Sequence, residues 1–426
     1  MDKMRPLLRP FAALAMTAGL SASLAACGTL DRPEAGLRMT DPLSPVTMDM
    51  ARTSTEVRIT NFMQEFGQLT INGRSTKVLA LSGGGANGAY GAGMLVGWSE
   101  SGNRPVFDVV TGISTGALAA PFAYLGQEWD AELRDAFTNP QTESLIGFRS
   151  FAAAFNPSLF SSKKLKALVE SYVTPELLSA IAAEHAKGRR LLVATTNLDT
   201  QQTVIWDMGA IATRGDENAR NLFKEVLVAS ASIPGVFPPV LIPGLSETGQ
   251  PLSEMHVDGG VNVPYLAIPE ELMLWTSPRR GLAEAELFII VNGQTGRNTG
   301  MTRGSLAGIL GRTYDSMSKA SLRTHLAVTA GFARRNGIEM SFTAIPDNVQ
   351  ASALSFDQAA MTALFEMARK RGLEGTAWRR LDDQDPSKDF VPPDALPEED
   401  IPLALSVPTP TTDTPTAPTE KDGPNG

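Results

Sequence analysis

The chain has 426 residues, 42% of them hydrophobic, and a formal charge of −9, with one cysteine and three histidines. That is enough apolar sequence to bury one substantial core, too little sulfur for a disulfide, and no group of imidazoles and thiolates to hold a metal ion. The acidic balance gives nucleic acid no basic footprint, and no metal or organic cofactor is implied.

The N-terminus carries a location signal. Lys3, Arg5 and Arg9 form a basic start, residues 11 to 26 are uncharged, and Leu24-Ala25-Ala26-Cys27 resembles the lipobox of bacterial lipoproteins. Residues 1–26 therefore read as a signal peptide and not as a membrane span. In chains with this motif, cleavage precedes the cysteine, which then receives a diacylglyceryl group on its thiol and an acyl chain such as palmitate on its amine. Cys27, the sole cysteine, sits at that point, against the competing reading of a secreted protein with an incidental cysteine. Gly28 follows it in place of the Asp that retains lipoproteins at the inner membrane, which favours the outer membrane of a bacterial cell envelope. Residues 27–70, polar and proline-bearing over 28 to 56, then serve as a tether.

The next signals are two strand-to-turn-to-helix units. Val78-Leu79-Ala80-Leu81 reads as a buried strand, Ser82 to Gly88 as a glycine-rich turn, and Ala89 to Trp98 as a helix. Such a turn exposes backbone N–H groups, which acyl transfer needs for its oxyanion. A phosphate-binding P-loop would need a lysine that is missing here; a dinucleotide fingerprint is formally matched by Gly83 to Gly88 and stays open, with Asp108 as its acidic residue. Val106 to Val110 then leads into Gly112-Ile113-Ser114-Thr115-Gly116 and the helix-compatible Ala117 to Tyr124. This is the chain's one GxSxG, and the strained turn makes Ser114 a candidate nucleophile. A serine cap on a glycine-rich connection is the plainer alternative.

Further strands are predicted at Leu191 to Thr196, Thr203 to Met208, Leu287 to Val291 and Ile338 to Ile345, and helices at Lys163 to Tyr172, Ala219 to Ala229, Leu306 to Phe332 and Ala359 to Arg371. Met255-His256-Val257-Asp258 reads as a short strand whose terminal carboxylate is left open by Gly259 and Gly260, although an Asp-Gly turn explains the same dipeptide. Apolar strands alternating with helices imply one α/β domain over 71–378, with a mainly parallel sheet covered on both faces. Within the segment 379–426, residues 381 to 426 hold eleven acidic residues against two lysines and a Pro/Thr run, which suits a solvated, disordered tail.

The glycine turn, the GxSxG and the Asp-Gly-Gly stretch together resemble the patatin-like phospholipases, in that family's order, over about Lys77 to Gly293. Ala229 to Pro239, Asn262 and Pro264 agree with the family as well. The resemblance implies a three-layer α/β fold with a mainly parallel central sheet flanked by helices. It also implies a Ser-Asp dyad, with Ser114 as nucleophile and Asp258 as general base. Gly83, Gly84, Gly85 and Thr115 would form the oxyanion hole, Gly112 and Gly116 the nucleophile elbow, and Gly259 and Gly260 the base motif. Asn87 departs from the family, whose members often carry Arg or Lys after the glycines, and this weakens the expectation of a phospholipid head group.

The expected protein is a lipid-anchored serine acyl hydrolase that acts on a membrane lipid or other acyl ester through an acyl-enzyme. An aspartate base near its ordinary pKa of about 3.9 would be inefficient, so Asp258 is expected to be desolvated. Two alternatives stay open: a Ser-His-Asp hydrolase using His325, and a non-catalytic envelope lipoprotein with the same fold. His256, one strand period from Asp258, reads as a structural neighbour. The apolar run Val236 to Ile242 either borders the site or packs beside the sheet.

Overall fold

Two apolar pentapeptides, Lys77–Leu81 (β1) and Val109–Ile113 (β2), pair in parallel at the centre of a nine-stranded sheet. The computed structural model describes residues 75–140, 162–245, 251–268, 285–297 and 300–380. The expected signal peptide, Cys27 and the expected tether lie outside the described residues, as does the expected tail 379–426 except for Arg379 and Arg380, which pair with the sheet and do not belong to a tail.

Glu286–Val291 (β7) and Glu339–Ala344 (β8) extend the parallel sheet beyond β1, and Arg190–Asn197 (β3) extends it beyond β2. Antiparallel strands finish the edges: Gln202–Asp207 (β4) and Pro251–Asp258 (β6) on β3, Val240–Leu245 (β5) on β6, and Arg379–Arg380 (β9) on β8. Four residues join β3 to β4, too few for a parallel crossover, so the chain must reverse there.

The helices, in chain order, are Gly88–Glu100 (α1), Thr115–Leu125 (α2), Asp130–Thr138 (α3), Ser162–Tyr172 (α4), Pro175–Ala186 (α5), Met208–Thr213 (α6), Glu217–Ser230 (α7), Leu306–Asn336 (α8) and Gln358–Glu374 (α9). Strand periodicity sorts them into layers. Leu79 and Leu81 of β1 enter the larger core with α1 to α7 and α9, while Val78 and Ala80 enter a second core with Leu322, Leu326 and Ala330 of α8. The result is the α/β architecture expected, a mostly parallel sheet between helical layers.

Details differ from the expectation. Strand β2 starts at Val109, not Val106, whose side chain is 65% exposed. Asp108 is buried at the start of β2 and accepts the Lys77 N–H (2.9 Å). That places it at the opposite end of the parallel strands from the glycine turn, which follows the end of β1, so it cannot read a dinucleotide ribose beside that turn. Val236, Phe237, Val240 and Ile242 are buried in the larger core, so the apolar run 236–242 is structural: it leads into the sheet, whose strand β5 begins at Val240.

Candidate active site

Strand β3 brings the two reactive side chains together. One of its edges is occupied by β4 from Leu192 to Asn197. The other edge pairs with β2 up to Ala194↔Ile113, and from Thr195↔Asp258 onward it pairs with β6, running the opposite way. Strands β2 and β6 therefore meet end to end. Ser114 follows Ile113 and Asp258 ends β6, so the hydroxyl and the carboxylate converge at the C-terminal edge of the sheet.

Ser114 takes φ 56° and ψ −126°, one of two non-glycine residues with positive φ among the described residues. Such a conformation costs roughly 1–3 kcal/mol and persists only where neighbours over-determine it. Here they do. A Cβ at Gly112 would lie 2.5 Å from the Gly116 carbonyl, so only glycine lets β2 turn this tightly into α2. The Ser114 N–H donates to Ser230 Oγ (3.0 Å), which in turn donates to the Ala194 carbonyl (2.7 Å).

Asp258 is buried beside the Ser114 side chain and accepts a hydrogen bond from the Gly260 N–H (2.7 Å). Its own N–H donates to the Ser232 carbonyl (3.0 Å). Desolvation raises its pKa to about 7, against the lowering effects of the neighbouring Ser114 hydroxyl and the Gly260 N–H. Gly259 keeps this end of β6 close to β3, since a Cβ there would lie 2.5 Å from the Ala194 carbonyl.

The glycine turn is locked by Asn292, at the end of β7. Its Nδ2 donates to the Ser82 carbonyl (2.8 Å), its N–H to Ser82 Oγ (2.8 Å), and its Oδ1 accepts the first-turn N–H of Gly91 (2.9 Å). The Ser82 hydroxyl donates to the Gly83 carbonyl (2.7 Å). Gly83 does not have the expected donor role, because its N–H is already given to the Pro264 carbonyl (3.1 Å). Its contribution is steric: a Cβ there would stand 3.2 Å from that of Ser114. Gly84 and Gly85 flank the cavity, and Thr115 begins α2, whose N-terminus adds partial positive charge.

Gly84→Ala tests this loop. The added Cβ would lie 2.0 Å from the Asn292 carbonyl oxygen, so the backbone must move. Displacing an oxyanion donor is expected to lower kcat by about 10²- to 10³-fold while the protein stays folded, read from ester kinetics beside circular dichroism.

A cavity of about 560 Å³ opens over these groups, within the range of small-molecule sites. Asn87 lines it, and the first half of α8 forms its far wall. From that wall the Tyr314 phenol reaches the neighbourhood of Asp258, its pKa raised to about 12 first by desolvation and then by the Asp258 charge.

The three imidazoles are engaged elsewhere. His256 is buried with its ring nitrogens on Thr195 Oγ1 (3.0 Å) and Glu254 Oε2 (3.1 Å). His185 faces Asp207 (3.6 Å), whose backbone pairs with Leu192 near the start of β3. His325 lies inside α8, where Nδ1 donates to the Ser321 carbonyl (2.9 Å), and it does not line the cavity.

Sequence reasoning did not single out Ser230, Ser232 or Asn292 as site residues. The two serines lie in the Ala229 to Pro239 stretch, noted only for its likeness to a family; their separate bonds to Ser114 and Asp258 supply the reason for it. Asn292 left no local signal.

The patatin-like phospholipase family profile matches residues 79–268, which include Ser114 and Asp258. Among solved structures, the chain is similar to VipD from Legionella pneumophila at 14% identity, covering 84% of this chain and 74% of that one with a TM-score of 0.34. It is also similar to the type III effector protein ExoU at 12% identity, covering 72% of this chain and 54% of that one with a TM-score of 0.27. No curated protein matches the chain significantly. Over residues 79–268, a little under half of its length, the chain thus matches the patatin-like phospholipase domain.

Proposed function

We propose that this protein is a lipid-anchored serine hydrolase that cleaves fatty-acyl esters through a dyad of Ser114 and Asp258. The observation that carries the reading is that Ser114, on its strained elbow, and the buried Asp258 carboxylate, whose pKa desolvation raises to about 7, line one cavity side by side. Asp258 takes the hydroxyl proton as Ser114 Oγ attacks the acyl carbonyl carbon. The N–H groups of Gly84, Gly85 and Thr115 hold the oxyanion, each contributing about 3 kcal/mol in a water-poor site. Collapse of the intermediate expels the alcohol, which receives the proton from Asp258. Water, deprotonated by the same carboxylate, then releases the fatty acid.

A substrate panel tests the reading: purified chain against short esters, lysophospholipids, phospholipids and triacylglycerols. Hydrolysis of none of them by folded protein would reject it. The pH profile is a sharper check. A base titrating at about 7 must be ionised, so kcat/KM should rise about tenfold per pH unit up to neutrality and level off above it. A profile already flat from pH 5 would indicate an ordinary carboxylate and count against the dyad.

The proposed lipid anchor is read from Leu24-Ala25-Ala26-Cys27, which supports a cell-envelope location, with Gly28 favouring the outer membrane. Cys27→Ala should abolish incorporation of a palmitate analogue and leave the chain uncleaved. Undiminished labelling of that variant would overturn the anchor.

A further inference from the structure

The far wall of the cavity differs in charge from the rest of the molecule. Residues 287 to 338 hold seven Lys and Arg against the single acid Asp315, in a chain whose formal charge is −9. Met301, Arg303, Arg312, Tyr314 and Lys319 from this stretch line the cavity above Ser114 and Asp258. Asp315 is shared by Lys319 (3.2 Å) and Arg312 (3.7 Å), so the wall keeps a net positive charge.

The same segment is short of packing. From Gly308 to Ala320 no described side chain of α8 is buried, whereas from Leu322 onward the helix supplies Leu322, Leu326, Ala330, Phe332 and Ala333 to the core. Yet large apolar groups stand on the unpacked part. Ile309 is 50% and Met317 67% exposed, and with Tyr314, Met301 and Leu354 they make up five of the ten exposed large apolar side chains among the described residues. Exposed apolar groups gathered on and around one cavity wall mark an interaction surface, and three sparsely packed turns of helix are marginal in water without a cover.

We infer that residues 301 to 320 dock on an anionic lipid bilayer, with Ile309 and Met317 entering the acyl boundary, the cations meeting lipid phosphates, and the cavity mouth opening onto the membrane. Charge complementarity selects this occupant, because cations flank the apolar groups on a chain that is elsewhere acidic. No helix among the described residues is long and apolar enough to cross a membrane, so the contact is one of surface docking. The inference rests on the acyl hydrolase reading for its purpose, but it can be measured without catalysis.

The test uses the full chain carrying Ser114→Ala, so that no lipid is consumed, with vesicles of phosphatidylcholine alone or mixed with phosphatidylglycerol. Backbone hydrogen exchange in 306–320 should slow about tenfold on the anionic vesicles and much less on the neutral ones, and the slowing should weaken at high salt. An N-terminal lipid tether alone would not protect these amides. Ile309→Asp with Met317→Asp should remove the protection, and since neither residue lines the cavity, the double variant with native Ser114 should hydrolyse a soluble short ester at the native rate. No slowing, equal slowing on neutral vesicles, or slowing that depends on protein concentration without vesicles, as a second copy would give, overturns the docking. Failure of the native chain on every ester with protection intact would instead reject the hydrolase reading and leave the docking standing.

Discussion

Ser114→Ala is expected to lower kcat/KM on a soluble ester by about 10⁵-fold or more, roughly 7 kcal/mol of barrier, and to end labelling by a fluorophosphonate probe. The expectation follows from geometry. Ser114 provides a hydroxyl that stands on a strained elbow, neighbours Asp258, and lines the cavity beside the glycine turn. The fold should survive, because the N–H to Ser230 Oγ and the packing of Gly112 and Gly116 do not involve the hydroxyl. Full probe labelling of the folded variant would show that another residue is the nucleophile.

Asp258→Asn should cost about 10³- to 10⁴-fold in kcat/KM, since an amide cannot take the serine proton yet keeps the shape of the carboxylate. It should also stabilise the protein above neutrality. Burial raises the folded pKa to about 7 from an ordinary 3.8, so the native state binds the extra proton and stability falls as pH rises between those values. Above pH 7 the ionised carboxylate costs on the order of 4 kcal/mol that Asn does not, while near pH 4 the two proteins should be alike. Urea unfolding at pH 4 and pH 8 reads the difference, and an equal effect at both would remove the case for a desolvated base. His325→Gln should keep activity within about tenfold, because its ring is bonded within α8; a loss comparable to that of Asp258→Asn would replace the dyad with a Ser-His-Asp arrangement.

Most of the central strands and long helices were legible because their signals are local. The uninterrupted apolar run before the glycine turn predicts β1, and α8 and α9 follow from helical spacing beginning at Leu306 and Ala359. Helix α5 was also within reach, since Thr174 caps it by accepting the Leu177 N–H (3.2 Å) and Pro175 opens it, but its mixed faces hid it from a periodicity search. Of the antiparallel strands, β4 and β6 were legible, as the runs Thr203 to Met208 and Met255 to Asp258, while β5 and β9 were not. The β5 apolar run looks like loop packing until β6 lies beside it, and no local pattern marks which edge of β3 will receive β6.

The sequence by itself determined the chemistry on offer: a serine in a turn that only glycines permit, a glycine-rich turn after a buried strand, and an aspartate freed by two following glycines. It also carried the resemblance from which their proposed roles come, and the lipobox-like stretch on which the proposed location rests. The tertiary structure alone decided what those groups meet. Strand β6 continues the edge that β2 leaves, which sets Asp258 against Ser114 and removes its water. Pro264 takes the Gly83 N–H and leaves the oxyanion to its neighbours, while Ser230 and Asn292 fix turns far from them in sequence. Turn geometry is a property of a few consecutive residues; burial and hydrogen-bond partnership depend on which distant segments arrive, and only the folded chain specifies that.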